Sequence, residues 1–154
     1  ALLTDTSLEA QVRASVTYNM IIEGVLAETG YHSYYNMLER NNVMPGLRQG
    51  IGLLKRDESR HIAYGVFLIS RLVAQQPSLW LTVEEQMNRL LVLALGVVNE
   101  SFQTEDERPV EDAPFDFRVE DYLDYATTQF TKRLARIDRA RTLTLEQVEL
   151  EAEE

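Results

Sequence analysis

Apolar residues recur with a period near 3.6 along most of this chain, and the strict alternation of a half-buried strand is almost absent. A chain patterned this way buries its stripes by packing helix on helix, so the predicted fold class is all-α. The first helix is expected from about Ser7 to about Asn41, capped by Thr6 or Ser7. Glu9 is placed to pair back to that cap, and Val16, Met20, Ala27, Gly30 and Tyr34 share one stripe. Asn41-Asn42 and Pro45-Gly46 mark a turn. A second helix follows from about Pro45 to about Gln75, with Leu54, Ile62, Gly65, Ile69 and Leu72 as its buried stripe. A third spans roughly Thr82 to Phe102; its Leu90–Val98 run is apolar nearly all round, implying burial on most sides or an interface. A fourth runs from about Val119 to about Ala140 and carries Tyr122, Tyr125, Phe130 and Leu134. Thr104–Phe117, acidic and holding Pro109 and Pro114, reads as a surface loop, and Glu146–Glu154 as a frayed end.

The 154 residues suffice for one domain with a real core, and no linker or internal repeat divides them. Acidic residues outnumber basic ones by 25 to 15, a net charge of -10, which argues against a nucleic-acid partner. With no cysteine, disulfide scaffolds, thiolate nucleophiles and zinc–thiolate sites are excluded. No apolar run approaches the roughly 20 residues of a membrane-spanning helix, and no signal segment opens the chain, so a cytoplasmic location is expected. The start at Ala1 without a Met hints at a missing N-terminal portion.

Charged residues interrupt the apolar stripes where a plain core would carry leucine. Glu58 and His61, three apart on the second helix, are neighbours in line with Leu54, Gly65 and Leu72. Glu23 lies between Met20 and Ala27 on the first. Buried carboxylates need a compensating cation, and an oxygen–imidazole donor set suits iron, manganese or zinc. A single Glu on one helix and a Glu-x-x-His on another form half of a two-metal bundle site. An alternative needs no metal: Glu58 pairs with Arg60 or Arg56, and Glu23 with Arg13 or Arg48. His32, four residues after Glu28, reads as a surface pair or part of a tyrosine-rich helix end.

Three segments, Ala10-Gln-Val-Arg-Ala-Ser-Val-Thr-Tyr-Asn19, Glu23-Gly-Val-Leu-Ala-Glu-Thr-Gly-Tyr31 and Asp57-Glu-Ser-Arg-His61, resemble the ligand-binding oxidases related to the ribonucleotide reductase small subunit. The resemblance runs over essentially the whole chain and implies a ferritin-like helical bundle, of which this is the C-terminal half. It implies Glu23, Glu58 and His61 as metal ligands, Asp57 as a carboxylate orienting a ligand histidine, and Tyr31 as a tyrosine near the site. Tyr18 matches a tyrosine that forms an ether cross-link to a valine; read on its own it is an ordinary half-buried tyrosine. Also implied are Mn and Fe ions (or two Fe), dioxygen, and a long-chain fatty acid, for which the apolar surroundings of Leu26, Val66 and Ile69 leave room. A homodimer is expected. The resemblance places a Glu, a Glu-x-x-His and the valine on helices preceding Ala1. Those helices are expected to cover an otherwise exposed stripe of Val16, Met20, Ile62, Ile69 and Leu72. Two other classes stay open: a radical-generating reductase subunit, and a metal-free helical interaction module.

Overall fold

The computed structural model describes residues 3–101 and 119–153, and every regular element among them is helical. The first helical rod starts where the Ser7 hydroxyl accepts the Ala10 amide at 3.2 Å. Glu9 does not complete the cap; it pairs with Arg13 one turn on, at 2.9 Å. The rod continues to Arg40 as predicted, but it is not uniform. α1 (Leu8–Ser15) opens at Val16–Ala27 into a π-helix, whose wider turn hydrogen-bonds residues five apart, and closes again into α2 (Glu28–Arg40). At its end the Glu28 amide reaches the Glu23 carbonyl. The widening resets the stripe. The buried positions run Val12, Val16, Met20, Val25, Thr29 and Ser33, at spacings of four or five, while Tyr34 of the predicted stripe is exposed.

A turn at Asn42 and Met44, both with positive φ, leads to Pro45 at the first position of α3 (Pro45–Gln75). Ile62, Gly65, Ile69 and Leu72 of its predicted stripe are buried, whereas Leu54 is exposed. A single turn of 3₁₀-helix, Pro77–Leu79, starts the next helix earlier than expected, so α4 is Trp80–Ser101. Ala94 and Val98 are buried, but Val92, Leu93 and Val97 face outward, so the apolar run is one-sided rather than enclosed. The acidic loop expected at Thr104–Phe117 lies outside the described residues.

α5 (Val119–Arg139) passes through a 3₁₀ turn, Ala140–Thr142, to α6 (Leu145–Glu153). The expected frayed end is therefore a helix. Thr144 and Gln147 cap it reciprocally: the Gln147 amide donates to Thr144 Oγ1 at 3.2 Å, and the Thr144 amide to Gln147 Oε1 at 2.9 Å. Val148 of α6 packs into the core.

That core joins Val12, Val16 and Met20 to Ile69 and Val73 of α3, Val83 and Met87 of α4, and Phe130 and Ile137 of α5. Val16, Met20, Ile62, Ile69 and Leu72, expected to wait for outside helices, are thus all buried within this chain. The first and second rods cover their inward faces with the chain's own later helices. α3 approaches the π-helix closely at Gly65, where a Cβ would stand 2.2 Å from Asn19 Cβ. No helix among the described residues is long and apolar enough to cross a membrane.

Candidate metal centre

The π-helix and α3 hold the predicted ligands against each other. Glu23, Glu58 and His61 offer ligand atoms that all lie within 4.8 Å of one another. His61 Nδ1 is 3.3 Å from Glu23 Oε1 and 3.6 Å from Glu58 Oε2. Glu23 is 5% exposed, and its second oxygen accepts from Asn19 Nδ2 at 2.8 Å. Glu58 Oε2 is buried with no hydrogen-bond donor; the His61 nitrogen, 3.6 Å away, is too far to donate. A buried carboxylate oxygen without a donor is costly on its own, and a cation between these three groups removes that cost. Two carboxylate oxygens and one imidazole nitrogen are a donor set for iron, manganese or zinc.

Among the described ion pairs, none joins Glu23 or Glu58 to an arginine. Arg13 is held by Glu9, and Arg60 by Asp57 at 3.2 Å. Asp57 is therefore exposed and engaged with Arg60, one turn before His61 on α3. His61 is the open edge of the cluster, its side chain 60% exposed. Tyr18, 57% exposed, stands out from the π-helix beside exposed Ile22, and is not the half-buried tyrosine of the plain reading. Tyr31 is half-buried further along the rod, in α2. Ile69 is fully buried, Leu26 packs against the core, and Val66 borders a cleft with Ile62, Ala63 and Arg133.

Two residues that spacing did not single out shape the π-helix. Asn19 holds Glu23, and Arg133 reaches across from α5 to donate to the Gly24 carbonyl. Only a glycine leaves room there: a Cβ on Gly24 would lie 2.9 Å from the Asn19 carbonyl oxygen and 3.1 Å from Arg133 Nη1. Arg133 also pairs with Glu28 at 2.6 Å, so Glu28 is not the partner of His32. His32 instead stacks on Tyr125, with ring centroids 3.8 Å apart, and meets Tyr122 edge-on. Burial, then the charges of Lys55 and Arg40, lower the His32 pKa. Burial first, with the charge of Glu28 and a hydrogen bond to it, pushes Tyr125 up to about 12.

The chain matches the family model described as ribonucleotide reductase, small chain, over residues 2–135. Among solved structures it is similar to the R2-like ligand-binding oxidase from Sulfolobus acidocaldarius, at 34% identity and a TM-score of 0.77, covering 96% of this chain and 47% of that one. A single-residue mutant of an R2-like ligand-binding oxidase with an aerobically reconstituted Mn/Fe cofactor matches at 31% identity and a TM-score of 0.80, over 90% of this chain and 50% of that one. Another mutant, with an Fe/Fe cofactor, matches at 31% and 0.80, over 90% and 49%. The chain thus spans about half the length of these proteins. Its all-α fold is a ferritin-like helical bundle, and the chain belongs to the ribonucleotide reductase small-chain family.

Proposed function

We propose that this chain provides one side of a dinuclear Mn/Fe or Fe/Fe centre in a dioxygen-activating, ligand-binding oxidase. The observation that carries this reading is the convergence of Glu23, Glu58 and His61 around an orphaned carboxylate oxygen. Glu23 Oε1, Glu58 Oε2 and His61 Nδ1 are the donor atoms the geometry offers. The metal pair, when bound, supplies dioxygen activation and oxidising power. The two carboxylates neutralise cationic charge, and Met20 and Ile62, near them in the chain, are buried in the core. Three donors are too few for two ions, and His61 is open on the outward side. The remaining donors, one Glu and a Glu-x-x-His, are proposed to come from protein outside these 154 residues.

In the same reading Tyr18 is the cross-link tyrosine, its valine carried by that further protein, and its exposure leaves it accessible to such a partner. Asp57, on the outward side of α3, serves a histidine arriving there, and Tyr31 lies near the completed site. A long-chain fatty acid as ligand, a homodimer using the outward Val92, Leu93 and Val97, and a cytoplasmic setting complete the proposal. A metal-free interaction module fits less well, because no described arginine neutralises the two carboxylates. The test is metal content and oxygen uptake of the full protein loaded with Mn(II) and Fe(II). Two ions per site with oxygen uptake are expected, and absence of bound metal would overturn the proposal. Mass spectrometry for a Tyr18 cross-link separates the oxidase from a radical-generating reductase subunit.

A further inference from the structure

We infer that Asn19 is a positioning residue that decides which oxygen of Glu23 faces the metal. The inference rests on the metal-site reading above. Ser15, Asn19 and Glu23 form one file along the rod, four residues apart, and each passes a hydrogen bond to the next. The Ser15 hydroxyl donates to Asn19 Oδ1 at 2.9 Å, and Asn19 Nδ2 donates to Glu23 Oε2 at 2.8 Å. The Ser15 bond fixes the amide orientation: with Oδ1 occupied, the NH₂ end points at the carboxylate. Ser15 is 6% exposed, so its hydroxyl has little competition from water.

Glu23 is thereby divided. Oε2 is committed to the amide, and Oε1 is turned to His61 Nδ1 at 3.3 Å. A carboxylate held this way binds a metal through one oxygen and resists rotating to chelate with both. The file is also clamped from outside. Gly65 of α3 sits so close that a Cβ would be 2.2 Å from Asn19 Cβ and 2.8 Å from its Cγ, so Asn19 has no other place to go. Loss of a hydrogen-bond partner behind a metal ligand costs roughly 10–100-fold in metal affinity or activity.

The test uses the full metal-binding protein titrated with Mn(II), in the natural form and as Asn19→Ala, Ser15→Ala and Glu23→Ala. Glu23→Ala must lose the site; if it binds Mn(II) normally, the metal-site reading itself falls. Given that loss, Asn19→Ala is expected to weaken Mn(II) binding by about 10–100-fold, and Ser15→Ala to weaken it by less. A metal-loaded minus metal-free infrared difference spectrum supplies a readout that a structural role would not move. In both variants the splitting between the two carboxylate stretches should narrow, as Glu23 becomes free to chelate. Ser15→Ala leaves Asn19 itself intact, so it carries the test if Asn19→Ala does not fold. Natural affinity and an unchanged carboxylate spectrum in a folded variant would overturn the assignment.

Discussion

The first rod and α3 each have two faces, and they differ in how far this chain completes them. Inward, Val16, Met20, Ile62 and Ile69 are buried by the chain's own helices. Outward, Tyr18, Ile22, Leu54 and Tyr64 remain exposed, with His61 among them. Glu23 and Glu58 lie at the seam: both carboxylates are largely buried, yet Glu23 Oε1 and Glu58 Oε2 come within 3.3 and 3.6 Å of Nδ1 of exposed His61. Stability therefore resides on one face and the proposed chemistry on the border of the other. The two should respond to different mutations.

The largest stability effect is expected deep on the packed face. Ile69→Ala should cost about 2–5 kcal/mol in urea unfolding, the usual range for a fully buried Ile. A cost below about 1 kcal/mol would mean that the inward face is not the source of stability. Next comes Gly65→Ala, where the new methyl meets Asn19 Cβ rather than a flexible side-chain end. It should cost about 1–3 kcal/mol as overpacking. It should also weaken metal binding through Asn19, which ties the two faces together; natural affinity would untie them.

On the seam the balance reverses. Glu58→Ala removes a carboxylate that has no donor and sits beside Glu23 and His61, so stability should change by only about 0.5 kcal/mol. Metal occupancy of the full protein should collapse. Full occupancy in that variant would remove Glu58 from the site.

The smallest effect is set by pH, away from the seam. The folded state lowers the pKa of His32 below its ordinary 6.5, so the neutral ring is the form the fold favours. The stability this represents is present above about pH 6.5 and is lost as pH falls below it. Tyr125 behaves oppositely: raised from 10 to about 12, its contribution is present below pH 10 and lost as pH rises toward 12. His32→Phe should flatten the acid slope and Tyr125→Phe the alkaline one, as read from thermal unfolding across pH. Unchanged slopes would show that the stack of the two rings does not couple to folding.

Much of this was legible in the sequence, for physical reasons. A charge in an apolar stripe is expensive enough to be noticed, and Glu23 is buried as that reading requires. His61 and Leu54 lie on the exposed side instead, although His61 does stand close to Glu23 and Glu58. The helix limits at Pro45 and Gln75 follow from a proline start and a proline two residues past the end. A uniform 3.6 period does not reveal the π-helix. The four- and five-residue spacing of Val16, Met20 and Val25 carried the signal. The acidic composition of α6 suggests a solvated end and hides the helix, although Thr144-Leu-Glu-Gln147 is a capping sequence. The burial of Val16 and Ile69 by the chain itself depends on how α4 and α5 return across the rods, and no local pattern encodes that. Arg133 on Gly24 is likewise a contact between distant parts of the chain.

The central claim is that Glu23, Glu58 and His61 hold one metal together. Anomalous diffraction from crystals of the full protein, loaded with Mn(II) and Fe(II) and measured at both metal edges, tests it most directly. The account predicts an ion bonded to an oxygen of Glu23, an oxygen of Glu58 and Nδ1 of His61, each at about 2.0–2.2 Å. Metal peaks located elsewhere, with Glu23 paired to a protein cation instead, would contradict it.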